Sequence, residues 1–118
     1  MQLNKLTQEE IHKLAAPIWN SLILASNAKD YSKFSNNFST EMLKHATREN
    51  INDQWENSPV LTSLKTEPEF MGCLKNKERV RVLWKQKSSV IDDELLGHLE
   101  LIIEDGQSNE TLSFICRG

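Results

Sequence analysis

The sequence predicts an α+β domain in which N-terminal helices pack on one face of an antiparallel sheet. Apolar residues recur at helical spacing from the N-terminus to about Trp55, then alternate with polar ones from about Val60 to Arg117. The 118 residues are read as one domain, 1–118, because folding at this length buries roughly two-thirds of the surface the unfolded chain exposes, enough for one core.

The first helix opens on a capping box. Thr7 accepts from the amide three residues on, and Glu10 reaches back to the amide of Thr7. Ile11, Leu14, Ile18, Leu22 and Ala25 then form a stripe widened by Ala15, Trp19 and Ile23. Pro17 interrupts the pattern, but Ala16 is a poor N-cap, so one kinked helix is expected rather than two. Asn27 to Asp30 reads as a turn, with Asp30 capping a short helix that buries Tyr31, Phe34 and Phe38. Ser39 caps a turn carrying Met42 and Leu43, and Thr47 caps a helix presenting Ile51 and Trp55. Asn57, Ser58 and Pro59 end the helical half.

Five strands are expected, at 60–66, 70–75, 79–87, 94–104 and 111–117. Asn76-Lys77 and Asp105-Gly106 are turn chemistry, whereas 88–93 forms a longer loop, and the sheet should be a meander.

Seventeen acidic against fourteen basic residues give a net charge of -3, an ordinary surface that favours no polyanion. No run approaches the ~20 apolar residues that span a bilayer, and Met1 to Glu10 lacks the apolar stretch of a signal peptide; a cytoplasmic protein without membrane contact is expected. Cys73 and Cys116 lie outside metal-ligand spacing and read as buried free thiols, with a disulfide between them left open. No Gly-rich phosphate loop, GxSxG or HExxH occurs, and neither cofactor nor metal is expected.

The element order, the Lys29-Asp30-Tyr31 helix start, the Phe38-Ser39 break, the Thr47 to Trp55 helix and the terminal antiparallel strands resemble the nuclear transport factor 2-like superfamily. That superfamily, of cystatin-like fold, includes ketosteroid isomerases, polyketide cyclases and many bacterial proteins. The resemblance implies a bacterial protein with a strongly curved, cone-shaped sheet, a cavity at the wide end and a homodimer through the outer sheet face.

Side chains two apart on a strand share a face. One face carries Val80, Val82, Trp84, Leu95, Gly97, Leu99, Leu101, Ile103, Leu112, Phe114 and Cys116 and must be the inner one. Enzymes of this family place an ionisable base at inward positions, which are hydrocarbon here. The expected pocket is therefore apolar, lined by Trp19, Tyr31, Phe34, Trp55, Val82, Trp84, Leu99, Leu101 and Phe114; it binds a small hydrophobic ligand or simply constitutes the core, in a non-catalytic ligand-binding or protein-interaction module. The alternative is an isomerase, cyclase or hydratase using that pocket, and no catalytic residue is assigned. Tyr31 is its best polar group.

His98 and Glu100 share the outer face and point away from the pocket; His12 and His45 are surface histidines, and Asp92, Asp93 and Glu94 a solvated turn. Asp53 and Glu56 near the end of the Thr47 helix face water. Lys75, Lys77, Arg79, Arg81, Lys85 and Lys87 gather around one hairpin, but without interleaved aromatics they do not predict nucleic-acid binding. Leu83, Leu96, Ile102 and Ile115 interrupt the polar outer face and suit a protein interface.

Overall fold

The computed structural model describes residues 5–36, 38–76, 79–103 and 110–117. Helices α1 (Gln8–Asn27), α2 (Tyr31–Phe34), α3 (Thr40–His45) and α4 (Arg48–Asn57) come first, followed by a 3-10 helix (Pro59–Thr62). Strands β1 (Glu69–Asn76), β2 (Arg79–Gln86), β3 (Leu95–Ile103) and β4 (Glu110–Arg117) then form one antiparallel sheet in the order β1-β2-β3-β4. The architecture is α+β, helices then meander, and no helix among the described residues is long and apolar enough to cross a membrane.

Both halves of the Thr7–Glu10 capping box are present, and α1 runs unbroken through Pro17. Ile11, Ala15, Trp19, Leu22 and Ile23 are buried, while Leu14 and Ile18 lie at the margin of the stripe. The helix ends where Lys29 adopts the left-handed region, φ 55°. Asp30, Ser39 and Thr47 each accept from the amide three residues on, starting α2, α3 and α4.

The expected strand at 60–66 is instead the 3-10 helix plus a single bridge, Leu64 to Ser88. Val60, Leu61 and Leu64 have helical rather than alternating spacing, and Pro59 stands at the first helical position, where its missing N–H costs nothing. Side chains complete the segment's hydrogen bonding. Ser26 Oγ donates to the Leu61 carbonyl, Asn27 holds both the N–H (2.8 Å) and carbonyl (2.9 Å) of Leu64, and Ser88 Oγ donates to the carbonyls of Val60 and Ser63.

The sheet is not strongly curled, in contrast to the expected cone. Bulges are what force a sheet to bend, and the β2–β3 and β3–β4 registers run without interruption; the irregularity lies on β1, between Phe70 and Gly72. The other four strands match the sequence reading to within a residue or so at each described end. The turn residues Lys77, Asp105 and Gly106 lie outside the described residues.

Val80, Val82, Trp84, Leu95, Leu99 and Leu101 are buried, so the apolar strand face turns to the helices as the alternation requires. Helix α1 lies over β1 and β2. Trp19 stacks on Trp84 (centroids 4.7 Å, 20° between planes) and covers Gly97, the β3 partner of Trp84. A Cβ at Gly97 would stand 2.4 Å from Trp19 Cζ2, so only glycine admits the indole. The inward position after Trp84 is Gln86, fully buried: its Oε1 accepts from Trp19 Nε1 (3.0 Å), and its Nε2 donates to the carbonyls of Lys65 (2.7 Å) and Lys87 (2.9 Å).

Cys73 is a free thiol. Cys116 stands on the opposite edge strand, three strand spacings or about 14 Å away, too far for a disulfide. Burial pushes the Cys73 thiol above its ordinary pKa, with the Lys75 ammonium acting the other way.

Candidate functional site

Because Trp19 and Trp84 fill the space over the middle of β2 and β3, open volume lies to one side, between helices α2–α4 and the sheet. The cavity there measures about 500 Å³. Phe34 of α2, Ile51 and Trp55 of α4, and Leu61 and Leu64 form its apolar wall. Phe34 meets Trp55 edge to face at 5.2 Å, and Phe38 packs on Phe34 at 5.4 Å, so the aromatic wall is internally braced. Ile51 and Trp55 reach it together because they are one helical turn apart.

Ser26 fixes that wall to α1. Its hydroxyl accepts from Trp55 Nε1 (3.0 Å) and donates to the Leu61 carbonyl, joining α1, α4 and the 3-10 helix at one buried atom. Tyr31 performs the same service on the other side. Its hydroxyl donates to the carbonyl of Ala46, the first of the two residues between α3 and α4, at 2.6 Å, and the Arg48 guanidinium lies 5.0 Å from the centre of its ring.

The rest of the boundary is polar. Helix α3 contributes Glu41, Met42 and His45, α4 contributes Gln54, and the sheet contributes Arg79, Glu100 and Ile102. Glu100 is held by two guanidinium groups, Arg79 Nη1 at 2.7 Å and Arg81 Nη2 at 3.3 Å, and its side chain is only 19% exposed. Arg79 also faces Glu41 across the gap between α3 and the sheet, at 3.9 Å. The three charges form a chain, Glu41 to Arg79 to Glu100, along the cavity boundary.

Of the nine residues expected to line the pocket, the structure brings Phe34 and Trp55 to this cavity. Trp19, Val82, Trp84, Leu99 and Leu101 are buried in the solid core beside it. Tyr31 packs against that core with its hydroxyl directed to Ala46, and the side chain of Phe114 lies outside the described residues. Alternation assigned Glu100 to the far face, away from any pocket. The face is as expected, since Leu99 and Leu101 are buried and Glu100 bonds Arg79 and Arg81 of the same outer face; what alternation does not show is that the cavity boundary reaches Glu100, together with Arg79 and Ile102.

Among the described residues, basic side chains of the hairpin are engaged at home: Arg79 and Arg81 with Glu100, Lys85 with Glu94 (3.4 Å) and Glu69 (4.0 Å), and Lys75 with the Leu6 carbonyl. His12 stacks on Phe70 at 4.2 Å, and among the described residues no group of three or more His, Cys, Asp or Glu side chains is placed to hold a metal ion. Comparison of the chain with protein-family models, with curated proteins and with solved structures found no match.

Proposed function

We propose that this chain is a small-ligand-binding module and that the cavity between α2–α4 and the sheet holds its ligand. The observation that carries this reading is a hollow of about 500 Å³ with an aromatic and aliphatic wall and a few polar groups at its boundary, the size and make-up of small-molecule sites. The helices-then-meander order supports a domain of the nuclear transport factor 2-like kind, with a flatter sheet than that superfamily's cone. Ligand binding is tested with N-phenyl-1-naphthylamine, a neutral apolar dye that fluoresces on leaving water. The native chain is expected to enhance its emission saturably, and Met42→Trp, which fills the cavity, to abolish the effect while the far-ultraviolet circular dichroism stays unchanged. Absence of enhancement by the native chain, or equal enhancement by the filled variant, refutes the reading.

Glu41 and His45 favour a second reading, an isomerase, cyclase or hydratase, because both line the cavity one turn apart on α3. It requires that His45→Gln abolish turnover of a bound carbonyl substrate while dye binding persists. A homodimer across the outer sheet face is also proposed: Leu74 (60% exposed) and Leu96 (41% exposed) lie there with the half-buried Leu83. Sedimentation equilibrium of the native chain and of Leu74→Lys/Leu96→Lys tests it, the variant being expected to run as a monomer.

A further inference from the structure

Resting on the pocket reading above, we propose that the ligand is an amphiphile with a carboxylate head, its apolar body against Phe34, Ile51 and Trp55 and its head bound by Arg79. The polar boundary of the cavity is unevenly committed. Glu100 is largely shielded from water and already neutralised by Arg79 and Arg81 together, so it offers little to a cationic head. Arg79 is different. A guanidinium carries five N–H groups, and among the described residues one of them, on Nη1, donates within hydrogen-bond distance to Glu100.

The other neighbour of Arg79 is Glu41, whose nearest oxygen is 3.9 Å from Nη2, beyond a hydrogen bond, and whose side chain is 68% exposed. Exposed pairs of this kind contribute little, so Glu41 is a weak competitor for the Arg79 guanidinium at the cavity boundary. A carboxylate arriving with its hydrocarbon on the aromatic wall gains a forked pair of charge-assisted hydrogen bonds that Glu41 does not make. Its apolar part leaves water at the same time. The Glu41 carboxylate then marks the place on the boundary that the ligand's own carboxylate takes.

The test is displacement of the neutral dye by decanoate and by decanamide, which share a chain and differ in charge. Decanoate is expected to bind the native protein about tenfold or more tightly than decanamide. Arg79→Gln should bring decanoate and decanamide to equal affinity, and Arg79→Lys should restore the preference in part, since a point charge cannot form the fork. Glu41→Gln should raise the preference for decanoate over decanamide, by removing the competing anion. Equal displacement by the two compounds, or an Arg79→Gln variant that retains the preference, overturns the assignment of the head group while dye binding keeps the pocket reading intact. A native protein that does not bind the dye overturns both.

Discussion

Replacing Gly97 with alanine tests the packing that decides where this molecule has space. The added methyl would stand 2.4 Å from Trp19 Cζ2 and 2.6 Å from Cη2, inside any tolerable contact. The indole has no room to retreat: it is stacked on Trp84 and bonded through Nε1 to the buried Gln86. Relief must come from moving backbone or breaking that bond, which puts the cost at the upper end of the overpacking range, about 3 kcal/mol. For a chain of this length that lowers Tm by about 10 °C. Urea unfolding followed by circular dichroism should show an earlier midpoint with an unchanged slope. The cost should fall by at least about 1 kcal/mol when Trp19 is also replaced by leucine, because the two sites are in contact. A Gly97→Ala protein within about 0.5 kcal/mol of the native one, the spread of unremarkable surface changes, would refute the seating of Trp19 on Gly97.

Further outcomes follow from single contacts. Gln86→Leu should cost about 2–4 kcal/mol, because the Trp19 N–H and the carbonyls of Lys65 and Lys87 lose their partner together, and the loss is read from denaturant midpoints. Ser26→Ala should cost about 1–3 kcal/mol and shift the fluorescence of Trp55, whose Nε1 loses its acceptor; a Trp19→Phe/Trp84→Phe background isolates that signal. Hydrogen bonds from the backbone and hydroxyl of Thr7 hold Glu10 below its ordinary pKa. Its contribution to stability is thus complete above about pH 4.3 and is lost as pH falls through the lower folded value. Native protein should consequently lose stability more steeply than Glu10→Gln below that pH, and parallel curves would count against the box.

The parts of the fold that were legible in the sequence are those whose causes are local. Thr7, Asp30, Ser39 and Thr47 each bond an amide three residues away, so the residue type and the following apolar stripe suffice to place the helix starts. Strand faces were legible because one alternating rule covers β2 and β3. The segment after Pro59 misled because a short apolar run fits strand or helix equally until its partners are known, and those partners, Ser26, Asn27 and Ser88, lie far away in sequence. The cavity was legible only in Phe34 and Trp55. Its location depends on Trp19 lying over Gly97, and its charged boundary on Glu41 of α3 approaching Arg79 of β2, neither of which leaves a periodic trace.

The side-chain clamps on residues 60–64 also bear on kinetics. Loop-closure entropy must be overcome before Ser26 and Asn27 can capture this stretch from 35 and 37 residues upstream, and Ser88 must arrive from the other direction. None of the three offers a docking surface until α1 and β2 are already joined, so the clamp closes on the native side of the folding barrier. Asn27→Ala should accordingly accelerate unfolding and leave the refolding limb of the chevron almost unmoved, a φ-value near zero.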